Sequence, residues 1–227
     1  MPTSRKYGPS DTLILVQAFA PYAEMVARHL PLWRRHGCRV VISSPRNSFC
    51  EISGVECVAH GEEGHAGPVS LDRWKEILRW LWGQPYEFFL MHESDSVCLS
   101  DRIPEYLYDN YDTFFSNELL DNANPPTQQA YCVAPWFFSR GVLRRVNVAS
   151  EKAAYRPPFH GDRWVGQLLE EEGIPHRGFS PGVACGTLFP GSGDLPIVRS
   201  ALRAGASMIH GVKSQIILDE LIREFNV

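Results

Sequence analysis

Two acids one residue apart, in Glu93-Ser94-Asp95-Ser96, follow the mostly apolar run Tyr86-Glu87-Phe88-Phe89-Leu90-Met91-His92. A buried strand that ends this way presents both carboxylates at its C-terminal edge, close enough to hold one divalent cation. In an open α/β sheet that edge is where ligands bind. Hard oxygen donors at this spacing suit Mg²⁺ or Mn²⁺ carrying the phosphates of a nucleotide. The plainer reading is a strand end with two solvated acids. Further along, an acid opens the helical stretch Asp162 to Glu172, and His210-Gly211-Val212-Lys213 brings an imidazole and an ammonium group.

These side chains need a sheet to hold them. Thr12-Leu13-Ile14-Leu15-Val16-Gln17 has the unbroken apolar centre of a strand buried on both faces. Tyr22, Met25, Val26, Leu30 and Trp33 recur at helical spacing, with Gly37 as a stop and Pro31 expected to kink the helix. Arg39 to Ser43 reads as a second buried strand, completing a β–α–β unit whose crossover should be right-handed. A weaker strand is expected at Val55–Val58, then a Gly-rich loop from His60 to Pro68. A helix capped by Ser70 follows, its apolar stripe made by Leu71, Trp74, Ile77, Leu78 and Leu81. The fourth strand, Tyr86 to Met91, delivers the acids.

Past residue 100 the periodicity loosens. Short helices are expected over 102–108 and 139–146, strands over 112–116 and 129–138, and loops over 121–127 and 152–160. The helix from Asp162 turns Trp164, Val165, Leu168 and Leu169 inward and stops at Gly173. Late strands are read at 176–179, 183–189 and 207–210, before a terminal helix.

Composition narrows the class. Of 227 residues, 44% are hydrophobic and 21% charged, ordinary for a globular enzyme, and one large core is affordable at this length. The net charge of −4 gives no global basic field for nucleic acid, although Arg140, Arg144, Arg145, Lys152, Arg156 and Arg163 crowd one stretch. The six cysteines form no Cys-x-x-Cys pair, so they read as reduced thiols in a cytoplasmic protein, or in a host's cytoplasm were the chain viral. No signal core or membrane-length apolar segment is present.

Taken in order, the nucleotide-type β–α–β half, Glu93-Ser94-Asp95, the segment Gly161-Asp162-Arg163-Trp164-Val165-Gly166-Gln167-Leu168-Leu169 closing at Gly173-Ile174, and His210 resemble the GT-A family of nucleotide-sugar-dependent glycosyltransferases. The resemblance covers most of the chain as an ordered arrangement of short motifs, with Glu93 where the family has Asp. It implies a single α/β domain over residues 1–227 with a mixed, mostly parallel, Rossmann-like sheet. Residues 1–100 would hold the nucleotide sugar and 101–227 the acceptor.

By that resemblance Glu93, Asp95 and His210 ligate Mn²⁺ or Mg²⁺. A cation bridging diphosphate oxygens would stabilise the departing anion, and the imidazole favours Mn²⁺. Asp162, at the positive end of its helix dipole, is expected to be ionised and to act as general base on an acceptor hydroxyl; a plain N-cap is the competing use. Gln17, Phe19, Tyr22, Arg46, Ser94 and Lys213 are the candidates for binding the nucleotide. The base would lie where the first strand ends, and Lys213 would reach the diphosphate. The donor is a nucleoside-diphosphate sugar, UDP-sugar first. The acceptor is a glycan, a protein or a hydroxylated DNA base. A nucleotidyltransferase ranks lower, because Ala18-Phe19-Ala20-Pro21 lacks the glycine and lysine of a phosphate loop. A non-catalytic nucleotide- or carbohydrate-binding module is the third reading.

Overall fold

The computed structural model describes residues 6–63, 68–98, 103–119, 131–154, 161–179, 184–187, 195–203, 208–211 and 214–225. The first strand, β1 (Thr12–Gln17), is buried along its length, as its apolar run demands. A 3-10 turn at Ala20–Tyr22 leads into α1 (Ala23–Arg34), which runs through Pro31. Next come β2 (Arg39–Ser44), β3 (Glu56–Ala59), α2 (Pro68–Trp82) and β4 (Phe88–Glu93). Helix α2 starts at Pro68, so Ser70 lies in its first turn and is not its cap. Proline suits this position, since it has no N–H to leave unsatisfied and its φ is already helical. Strand β4 starts and ends two residues later than the strand expected over 86–91, which makes Glu93 its last residue.

The later elements are β5 (Val97–Cys98), α3 (Glu105–Asp109), β6 (Phe114–Leu119), β7 (Tyr131–Ser139), α4 (Arg140–Lys152) and α5 (Gly161–Glu171). They are followed by β8 (His176–Gly178), β9 (Ala184–Thr187), α6 (Leu195–Arg203), β10 (Met208–His210) and α7 (Gln215–Glu224). Ser139 accepts a hydrogen bond from the Val142 amide and so caps α4. The loop expected over 121–127 lies outside the described residues.

A seven-stranded sheet carries the order β3-β2-β1-β4-β7-β6-β8. Its neighbours are parallel except β7, which runs antiparallel to both β4 and β6. The architecture is therefore the expected α/β one, a mixed, mostly parallel sheet flanked by helices. From β1 the chain steps outward to β2 and β3, then returns to place β4 on the other side of β1. Crossovers of one hand then put α1 and α2 on opposite faces.

The packing agrees. On one face Leu13, Leu15, Val41, Phe89 and Met91 meet Leu71, Trp74, Ile77, Leu78 and Leu81 of α2, together with residues of α4 and α5. On the other, Ile14, Val16, Ile42, Phe88 and Leu90 meet Val26, Leu30 and Trp33 of α1. A satellite cluster joins Met25 and Leu32 of α1 to Leu202, Ile209, Leu218 and Leu221. It carries a second, three-stranded sheet, β5-β10-β9.

Candidate functional site

The reversal of direction between β1→β2 and β4 is a topological switch point, where strand C-termini open a crevice for ligands. Gln17 and Glu93 are register partners there, and Gln17 also pairs with Ser43 across β2. Side chains alternate along a strand. Ser43, Gln17 and Glu93 thus form a row on the face of Val41, Leu15 and Met91, the face covered by α2 and α5. His92 falls on the opposite face, fully buried with its ring centroid 6.4 Å from that of Trp33, so it is no neighbour of the acids' shared face. Glu93 is half-buried, and Ser94 and Asp95 are buried in the turn that follows.

Helix α5 brings the third acid. Gly161 lies so close to Trp74 of α2 that a Cβ there would sit 2.9 Å from Cε2 and nearer still to Nε1. Trp74 cannot easily yield, because its ring is packed 4.8 Å from that of Trp136, whose Nε1–H donates to the Cys132 carbonyl at 2.8 Å. The glycine lets α5 settle onto α2, which lowers Asp162 towards Glu93. Burial raises the Asp162 carboxyl far above the usual carboxylate range, to about 8, and the negative charge of Glu93 pushes the same way. This differs from the expectation that the helix dipole keeps Asp162 ionised. Desolvation and a neighbouring anion outweigh a helix-end interaction.

The remaining candidates separate into groups. Phe19 lies beside this row, but the guanidinium of Arg73 covers its ring at 4.9 Å. Arg46 is held by Glu76 in a two-point ion pair, at 3.2 and 2.6 Å, on the exposed side of α2. Tyr22 packs against the satellite cluster beside α1. His210 ends β10, whose antiparallel register on β5 matches Met208 with Cys98 and Ile209 with Val97. The ladder ends there, one residue before His210 and two after Asp95. The His210 side chain and all of Lys213 lie outside the described residues.

Two residues that the sequence reading passed over belong to this neighbourhood. Arg73 is buried in the second turn of α2. Its signal was legible: it sits at i+3 from Ser70 and i−4 from Ile77, a charge on an otherwise inward-facing stripe. His60, also buried, shares a 2.8 Å hydrogen bond with Ser43 and packs edge-on against Trp80, 5.3 Å between centroids. Burial is the chief reason its pKa falls to about 4, so it is neutral near pH 7.

In kind, the donors at this edge fit a hard divalent cation: Glu93 and Asp95 offer carboxylate oxygens, and the mutual repulsion of Glu93 and Asp162 is what a cation relieves. Among the described residues, no three His, Cys, Asp or Glu side chains gather closely enough to hold a metal ion.

No protein family matches the sequence, and no curated protein does. The fold, in contrast, is found among solved structures. One is a glycosyltransferase involved in the glycosylation of the major capsid of PBCV-1, with a TM-score of 0.54 and 14% identity, covering 94% of this chain and 98% of that one. At that identity the likeness is one of fold.

Proposed function

We propose that this chain is a metal-dependent glycosyltransferase that moves a sugar from a nucleoside-diphosphate sugar, a UDP-sugar first, to an acceptor hydroxyl. The observation that carries the reading is the convergence of acids far apart in sequence, Glu93 with Asp95 and Asp162, at the switch point of the sheet. A fold held in common with a glycosyltransferase supports it.

Glu93 and Asp95 would hold Mn²⁺ or Mg²⁺ with His210 as third ligand, an assignment supported by the pairing of β10 with the strand that follows the acids. Such an ion, when bound, neutralises charge building on the departing diphosphate. Gln17, Phe19 and Ser94 line the nucleotide side, with Lys213 assigned to the diphosphate. Arg46 and Tyr22 are weaker members of that set, given their engagement with Glu76 and the satellite cluster.

In its ionised form, which a cation offsetting the charge of Glu93 would favour, Asp162 takes the acceptor's O–H proton. The acceptor oxygen forms a bond to the anomeric carbon, and the bond from that carbon to the diphosphate oxygen breaks, its electron pair leaving with the nucleoside diphosphate. One base and one displacement invert the anomeric centre. The enclosure that raises the Asp162 pKa makes its carboxylate a stronger proton acceptor than a solvated aspartate.

For the acceptor, the neighbour's part in glycosylating a capsid supports a protein or protein-borne glycan. The net charge of −4 weighs against a hydroxylated base in duplex DNA.

A thermal-shift screen of UDP-, GDP-, ADP- and dTDP-sugars with and without Mn²⁺ selects the donor, since a ligand that binds only the native state raises Tm. With that donor, Asp95→Ala should abolish metal-dependent hydrolysis or transfer. Unchanged turnover would remove the assignment, and release of pyrophosphate in place of nucleoside diphosphate would move the chain to the nucleotidyltransferases.

A further inference from the structure

Arg73 is a buried cation with an unused grip. It is 6% exposed, and among the described residues no acceptor meets its Nε or Nη2, both of which are shut off from water. Those two atoms form one edge of the guanidinium, the edge that binds two oxygens of a phosphate or carboxylate side-on. Desolvating such a group without a partner is costly. Burial lowers its pKa to about 10, against the pull of Glu93 and Glu63, so it stays charged at neutral pH.

The side chain is also fixed in place. Its guanidinium lies on the Phe19 ring. Its stem is pressed by Gly61, where a Cβ would fall 2.5 Å from Arg73 Cβ and 2.7 Å from its Cα. Gly61 has a φ of +55°, and it is tied on both sides: its N–H donates to Glu76 at 2.8 Å, and its carbonyl accepts from the Arg46 amide at 2.8 Å. A dry, positively charged fork thus stands just past the end of β1, close enough to Glu93 to feel its charge, and it takes up an oxyanion only as the groups that now cover its Nε–Nη2 edge shift.

We infer that Arg73 is the protein's own docking point for a phosphate of the nucleoside diphosphate, a positive charge built into the chain that accompanies the cation at the switch point. The inference rests on the glycosyltransferase reading for the ligand's identity. A carboxylate on an acidic sugar offers similar chemistry. Phosphate is favoured because the fork lies on Phe19, two residues past the end of β1, where Gln17 is the register partner of Glu93 and Ser43.

The test uses the whole chain, with calorimetric titration of inorganic pyrophosphate, UDP, uridine and glucuronate, each with Mn²⁺ present and absent. In Arg73→Met, pyrophosphate and UDP should both bind about tenfold to a hundredfold more weakly, while uridine is unchanged. Arg73→Lys should restore only part of the loss, since an ammonium cannot grip two oxygens in one plane. Methionine keeps the stem's packing, so the unliganded Tm should fall by no more than about 3 °C or rise. Pyrophosphate affinity unchanged in Arg73→Met overturns the inference, as does loss confined to glucuronate. An equal loss for uridine and pyrophosphate with a collapsed Tm marks Arg73 as structural and overturns it too. Should pyrophosphate binding ignore Arg73 while Asp95→Ala still loses donor turnover, the phosphate docking falls and the glycosyltransferase reading stands.

Discussion

Single side chains at this sheet edge owe their character to enclosure. Asp162 is raised by burial and by Glu93, Arg73 is lowered by burial, and His60 is lowered chiefly by burial despite Glu76 nearby. His60 gives the cleanest solution signature. Its folded pKa of about 4 lies below the ordinary 6.5, so the unfolded chain takes up the proton first. Its contribution is complete above pH 6.5 and is lost as pH falls towards 4, to a limit of about 3 kcal/mol. Urea unfolding at pH 7 and pH 4.5 should therefore show a smaller acid-induced loss in His60→Gln than in the parent chain. Equal losses in the two proteins would mean that His60 is already proton-accessible in the folded state. Of the candidate residues, Glu93 and Asp95 draw notice in the sequence because they directly follow an apolar run, although a plain solvated strand end has the same pattern. Arg73 was not read, although its place on the inward stripe of α2 marks it, because one charge among five apolar residues is easily attributed to the solvent face.

At the level of elements, most strands and helices of both halves were readable, although their ends and directions were not. Unbroken apolar runs define β1, β2 and β4, since a strand covered on both faces has no polar side to show. The same rule cannot reveal direction: nothing in Tyr131–Ser139 distinguishes an antiparallel β7 from a parallel one. Strand β5, two residues long, falls below any periodicity, whereas β10 lies within the strand expected over 207–210; α6 was missed, its sequence following directly on Gly191-Ser192-Gly193-Asp194. Position along a strand is set by anchors that pattern does not disclose. Arg140, at the start of α4, is one of them. Its Nη2 donates to the Trp82 carbonyl at 3.0 Å and its Nη1 to those of Tyr86, at 3.1 Å, and Gln84, with its plane stacked on Trp82 at 4.7 Å. These bonds fix the entry to β4 and hence where Glu93 emerges. Arg140→Ala should cost roughly 1–3 kcal/mol in denaturant melts, and Arg140→Lys should recover little, because three carbonyls need a planar fork. Full recovery by lysine would reduce Arg140 to a surface charge.

Across the whole molecule, two cores sandwich the main sheet while the satellite cluster holds the small one. The division predicts an uneven response to mutation. Leu221→Ala empties part of the satellite cluster, which contains Ile209 of β10, and should cost about 2–4 kcal/mol. If β10 carries a metal ligand, Mn²⁺ affinity measured by titration should fall with it, whereas a Mn²⁺ isotherm identical to that of the parent chain would detach β10 from the ion. The pairing of β5 with β10 has a practical bearing as well. The residues directly after Glu93-Ser94-Asp95 are hydrogen-bonded to a segment more than a hundred positions later. A shortened chain stopping before residue 200 would keep every strand of the large sheet and yet strip the amides behind the acidic turn of their ladder. Trimming for crystallisation or fusion at that end would also uncover Met25 and Leu32 of α1, so it removes support from the acidic turn and from α1 together.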